Sequence, residues 1–154
     1  MKIRTAIAGD SDQICNVLRR SIEELCVSDH GASTAIIADW LANKTPENVL
    51  VWINMPNQRM LVAVDGSHIL GVGSVTASGE IILNYVSPDA RFLGISKAIL
   101  TGLEAYLKEQ GKTRSNLTST LTAHRFYEAC GYRDSGPIEM WGPLAGQPME
   151  KQLP

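Results

Sequence analysis

The segment Leu83-Asn84-Tyr85-Val86-Ser87-Pro88-Asp89-Ala90-Arg91-Phe92-Leu93-Gly94-Ile95-Ser96-Lys97-Ala98-Ile99-Leu100 changes character halfway along. Its first residues are apolar and extended. Pro88 closes that strand at Ser87, because proline has no donor for a strand ladder and holds its predecessor in an extended conformation. The chain turns through Asp89-Ala90 and restarts past Gly94 as a helix, with Ile95, Ile99, Leu103 and Leu107 four apart on one face. Glu104 and Lys108 are spaced to pair on that helix, and Gly111 supplies a left-handed stop. A strand feeding a helix through so short a loop aims several unpaired N–H groups at one point. The helix dipole adds partial positive charge there, so the site suits a phosphate or pyrophosphate. Gly94 leaves the backbone bare to a bulky anion, and Arg91 and Lys97 add charge nearby.

Upstream, Lys2 to Ala8 reads as a strand, and Asp10 with Gln13 suggests a capping box opening a helix. Ile14, Val17, Leu18, Ile22 and Leu25 form the apolar face of that helix. After a loop at Ser28-Asp29-His30-Gly31, a second helix begins near Ser33, with Ile36, Ile37, Trp40 and Leu41 as its stripe. Thr45-Pro46-Glu47 is a strong start for a third, turning Val49, Trp52 and Ile53 inward. Arg59 to Val64, a turn at Asp65-Gly66, His68 to Ala77, a turn at Ser78-Gly79 and Glu80 to Val86 predict an antiparallel meander. Gly71 and Gly73 suggest a bulge in its middle strand.

Downstream, Thr113 to Ser119 is a fifth strand and Thr120 to Cys130 a helix with Ala123, Phe126, Tyr127 and Cys130 on one face. Tyr132 to Asp134 and Ile138 to Trp141 read as one interrupted strand. Pro148 to Leu153 reads as the last, across Gly142-Pro143-Leu144-Ala145-Gly146.

A chain of 154 residues with 44% hydrophobic and 19% charged content fits a single globular domain over residues 1–154. The net charge of −2 leaves no basic footprint for nucleic acid, and no apolar run is long enough to span a membrane. Three scattered cysteines, Cys15, Cys26 and Cys130, suggest reduced thiols in a cytoplasm. His30 and His68 stand alone, so no metal site is expected.

Val86-x-Pro88-x-x-Arg91-x-x-Gly94-x-Ser96 resembles the coenzyme A pyrophosphate loop of the GNAT (general N-acetyltransferase) superfamily. Ala123-x-x-Phe126-Tyr127-Glu128-x-x-Gly131-Tyr132 resembles that family's second signature. The resemblance implies an α/β fold: a mostly antiparallel mixed sheet of six to seven strands, flanked by helices on both faces. It implies acetyl transfer from acetyl-CoA to a primary amine of a small molecule or peptide, with no metal, and a frequent homodimer.

On the matching positions, Arg91, Phe92, Leu93, Gly94, Ile95, Ser96 and Lys97 would surround the pyrophosphate. Asn84, Tyr85 and Val86 would run beside pantetheine on a strand that splays from its neighbour. Ser119 or Thr120 would stand where the family often has an asparagine, with Phe126 alongside. Tyr127 occupies the position of the family's general acid, or is simply a core aromatic. Glu80 has the spacing of a base glutamate, or is a solvated turn residue; Asn84 or Tyr85 could instead position a water. Trp40 and Trp52, with Tyr85, either shape the acceptor pocket or pack in the core. Phe92, Ser96 and Thr120 depart from the family pattern, which leaves open a second reading: a silent acyl-CoA-binding sensor or regulatory module.

Overall fold

The computed structural model describes residues 1–154. The strands are β1 (Lys2–Thr5), β2 (Gln58–Asp65), β3 (His68–Thr76), β4 (Glu80–Val86), β5 (Arg114–Ser119), β6 (Arg133–Asp134), β7 (Glu139–Trp141) and β8 (Leu144–Gln152). The helices are α1 (Ser11–Leu25), α2 (Val27–His30), α3 (Thr34–Leu41), α4 (Pro46–Ile53), α5 (Ile95–Glu109) and α6 (His124–Ala129). The sheet runs β1-β2-β3-β4-β5-β8-β6, with β7 added beside β8. Every pairing is antiparallel except β4 with β5, the pair joined by the α5 crossover. No helix is long and apolar enough to cross a membrane.

Strand β2 shows why helices cover both faces. Met60 and Val62 are buried with Ile14, Val17, Leu18 and Val49 from α1 and α4, while Leu61 and Ala63 are buried with Ile99, Leu103 and Leu107 from α5. A strand that is apolar at five consecutive positions, Met60 to Val64, needs cover on each side. Ser33 and Thr45 cap α3 and α4 as expected, accepting from the Ile36 and Asn48 amides at 3.3 and 3.2 Å.

Gly71 and Gly73 stay in register with β4. The irregularities lie beside them, where Ala63↔Gly71 is followed by Val64↔Ile69, and again after Ser74. Their main effect is to let α5 lie close on the sheet. A Cβ on Gly71 would stand 2.8 Å from both Ile95 and Ile99, and one on Gly73 would run into Ile99 and come within 3.0 Å of Leu103. Overpacking a closed core of this kind costs about 1–3 kcal/mol. Gly73→Ala should lose about that much in urea unfolding with an unchanged m-value. Gly9→Ala, which meets nothing within 4 Å, should stay within about 0.5 kcal/mol of the parent.

Several local expectations are corrected. Asp10 does not cap α1. Its carboxylate accepts from both Arg4 nitrogens at 2.7 and 3.0 Å and from the Ile7 amide at 2.9 Å, and the Arg4 bonds hold it below the usual carboxylate range. Gln13 reaches the β2–β3 turn instead, donating to the Ser67 carbonyl and accepting from the Ile69 amide. Glu104 does not pair with Lys108. It shares the buried face of α5 with Leu100 and Leu107, where a carboxylate needs partners. It finds them in the Tyr132 hydroxyl at 2.7 Å and the Lys151 ammonium at 3.1 Å. Residues 132–141 form two strands, not one interrupted strand, because β6 and β7 each pair with a different part of β8. The turn before β8 is only Gly142-Pro143, and β8 takes in Leu144 to Gly146 and Pro148. Finally, α6 spans six residues from His124, and Thr120 lies in the turn before it.

Candidate active site

Strands β4 and β5 register only at Glu80↔Asn116 and Ile81↔Leu117. At that closed end the Asn116 amide and side chain both donate to the Gly79 carbonyl, at 2.9 and 3.2 Å. Beyond Ile81 the two strands pair no further, and the gap between them is a fork. Two cavities meet there, of about 490 and 610 Å³, sharing Ile81, Ile82, Tyr85, Leu117, Thr118 and Thr120.

The first cavity lies under the start of α5. Gly94, at φ 77°, precedes the helix with nothing within 4 Å of where a Cβ would stand. The first amides of α5 therefore open onto unobstructed space, and an α-helix leaves those donors without intrahelical partners. Arg20 of α1 grips the turn ahead of them, with two bonds to the Asp89 carboxylate at 2.7 and 3.1 Å. Phe92 takes the left-handed conformation usual for glycine, at φ 63°, and is 90% exposed. The Arg91 guanidinium covers its ring at 4.6 Å.

Asn84, Tyr85, Val86, Arg91, Phe92 and Gly94 line this cavity, as do Ile95, Ser96, Lys97, Thr120, Phe126 and Tyr127. Leu93 does not line it and points to solvent. Ser119 lines the second cavity, and its hydroxyl donates to the Thr120 carbonyl at 2.7 Å. The Thr120 hydroxyl accepts from the Ala123 amide at 3.2 Å, so it serves the turn into α6.

Tyr127 reaches the fork from α6. It is buried, and its ring meets Phe126 and Tyr132 edge-on at 5.1 and 5.7 Å. Burial pushes its phenol up to about 12, with the neighbouring Asn84 side chain acting in the opposite direction. Asn84 donates to the Ser96 carbonyl at 3.4 Å, while its Oδ1 is buried without a partner. Burial also raises the Tyr85 phenol, and the neighbouring Cys26 and Tyr127 add to the effect while Trp40 opposes it.

The second cavity holds Glu80 and Trp40. Glu80 is exposed, with its backbone amide bonded to the Thr76 hydroxyl. Trp40 stands edge-on to His30 at 6.5 Å. Trp52 lines neither cavity and lies half-buried against the core cluster of Val49 and Ile14, so it is not brought to the fork.

Sequence patterning gave no signal for Ser21 of α1 and Cys26 just after it, which line the first cavity outside either signature. It also missed Asp29. From α2, Asp29 accepts from the Leu121 amide at 2.7 Å and from the Thr122 amide and hydroxyl, tying α2 to the turn that leads into α6. The polar Ser28-Asp29-His30 run was the available hint. His30 is buried as a local brace, its Nε2 donating to the Ile22 carbonyl at 3.0 Å and its Nδ1 accepting from the Ala32 amide at 2.9 Å.

His124, at the start of α6, pairs with Asp134 at 2.7 Å and Glu128 at 3.3 Å. The Asp134 bond raises its pKa above 6.5. The imidazolium therefore adds its full stability below about pH 6.5 and loses it as pH rises through the folded value. An NMR titration should place the His124 midpoint above 6.5, and Asp134→Asn should bring it down.

A sequence profile of the acetyltransferase (GNAT) domain matches residues 26–153. No curated protein sequence matches the chain. Among solved structures, a GCN5-related N-acetyltransferase from Rhodopseudomonas palustris superposes with a TM-score of 0.88 at 20% identity, covering 99% of this chain and 95% of that one. The PaiA N-acetyltransferase from Thermoplasma acidophilum, in complex with coenzyme A, gives 0.81 at 21% identity, covering 98% of each chain. An aminoglycoside 6′-acetyltransferase type Ii gives 0.74 at 20% identity, with 99% and 97% covered. These likenesses speak for the fold. The profile match spans most of the chain, and the protein belongs to the GNAT acetyltransferase family.

Proposed function

We propose that the chain moves an acetyl group from acetyl-CoA to a primary amine. The observation that carries this is the convergence, at one fork, of the bare start of α5 and the buried Tyr127 phenol. The site's own chemistry fits the coenzyme. The open cradle at Gly94 and the charges of Arg91 and Lys97 suit a pyrophosphate. The orphaned Asn84 Oδ1 offers an acceptor to an amide N–H of a pantetheine arm.

Acetyl-CoA, when bound, supplies the activated acetyl group. The protein's part is to align it, to place an amine against it and to manage two protons. Unpaired main-chain amides along the open edge of β4 favour negative charge on the acetyl oxygen, an effect on the order of 3 kcal/mol for one such donor. Glu80, on the acceptor side, takes the ammonium's proton directly or through a water, leaving the nitrogen free to attack. As the carbon–nitrogen bond forms and the carbon–sulfur bond breaks, Tyr127 gives its proton to the departing thiolate, and the second proton that leaves the nitrogen passes through water to restore the phenol. A phenol held near 12 is fully protonated at neutral pH and available as that acid.

Calorimetry with coenzyme A, followed by thiol release from acetyl-CoA over an amine panel, tests the proposal. Heat of binding with amine-dependent thiol release is expected. Binding with no release for any amine would favour a silent acyl-CoA-binding module, and no binding at all would remove both readings.

A further inference from the structure

The two cavities at the fork carry opposite charge. Arg91 and Lys97 line the coenzyme side with no aspartate or glutamate, whereas Asp29, Glu80 and Glu139 line the acceptor side with no lysine, arginine or histidine. Asp29 is committed to the Leu121 amide and to Thr122. The Glu80 and Glu139 carboxylates take part in none of the protein's ion pairs.

Two indoles complete the acceptor side. Trp40 contributes from α3, and Trp141 from the β7–β8 hairpin, where it is 59% exposed. Trp141 lies over Gly146, where an added Cβ would run into the Thr118 methyl and reach ordinary contact, 3.5 Å, with the indole. An exposed indole beside a free carboxylate is a cation-holding arrangement.

The reacting nitrogen does not need so much negative charge. A carboxylate close to an amine stabilises the ammonium, which cannot attack, so one carboxylate can act as base while a second hinders reaction. The second is useful only to a cation that stays protonated. Building on the acetyltransferase reading above, we propose that the acceptor is a small aliphatic diamine or oligoamine. Its reacting nitrogen enters the fork near Glu80, and its other ammonium is held by Glu139 and Trp141. A cavity of about 610 Å³ holds such a molecule whole.

Thiol release from acetyl-CoA tests this with 1,4-diaminobutane, n-butylamine, 4-aminobutyrate and a lysine-rich peptide as acceptors. The diamine should exceed n-butylamine in kcat/KM by about tenfold, the effect of one well-placed cation contact, and 4-aminobutyrate should be poorer still. In Glu139→Gln and in Trp141→Ala the ratio of diamine to n-butylamine should fall towards one, through KM of the diamine. Both residues are exposed, so neither change challenges the core. Equal use of n-butylamine, preference for the peptide, or an unchanged ratio in Glu139→Gln would overturn the diamine proposal while leaving amine acetylation standing. Coenzyme binding without turnover of any of the four acceptors would overturn it too. Failure to bind coenzyme A would instead strike the reading on which it rests.

Discussion

Tyr127→Phe should lower kcat by about 10²–10³-fold, the usual contribution of a positioned general acid, with the Kd for coenzyme A within about threefold of the parent. The expectation is specific to the hydroxyl. The ring is what packs, edge-on against Phe126 and Tyr132, and phenylalanine preserves it. Asn84 is the side chain that acts on the Tyr127 hydroxyl, and one such neutral contact is worth about 1 kcal/mol, so the melting temperature should move by only a few degrees. A core role alone predicts unchanged turnover, which makes kcat the deciding readout. The pH profile supplies a second one. With the phenol near 12, the wild type should keep its acid throughout pH 6 to 9, and any rise in rate there reports loss of a proton from the amine.

Gly94→Val should weaken coenzyme A binding by about 30–100-fold. Two effects combine at this residue. A φ of 77° costs an L-residue about 1–2 kcal/mol, more when the side chain is β-branched. The new carbons would also occupy the open space over the α5 amides. An acetylated pantetheine fragment without the pyrophosphate should lose little affinity, because the substitution acts where the proposal puts the diphosphate. Gly31→Val is the control for backbone strain. Gly31 has a φ of 59° and nothing near its Cβ position, but it closes α2 away from the phosphate loop. It should lose stability without losing coenzyme affinity. Equal loss of pantetheine and coenzyme binding in Gly94→Val would mean that the loop has unfolded and that the phosphate assignment lacks support.

The segment from Leu83 to Leu100 fixes the strand, the turn and the helix by local rules: proline stops a ladder, glycine permits a left-handed entry, and apolar residues four apart make a face. The meander from Gln58 to Val86 is legible in the same way, since its turns carry Asp65-Gly66 and Ser78-Gly79. The spaced signatures around Gly94 and Tyr127 identify the family and the two residues on which the chemistry is argued. Each of these depends on residues close together in the chain, so the linear text contains them.

What depended on distant partners was beyond that text. Spacing pairs Glu104 with Lys108, but burial turned it toward Tyr132 and Lys151, because only the folded sheet brings β8 beneath α5. Asp29 finds its donors 92 and 93 residues away, and Trp40 and Trp52, alike in sequence, part company once α3 and α4 choose their faces. The opposed charges of the two cavities arise from Arg91 and Lys97 on one side and Glu80 and Glu139 on the other, gathered from four separate elements. Local propensity sets which pieces form, and the fork that gives them a chemistry exists only where β4 and β5 stop pairing.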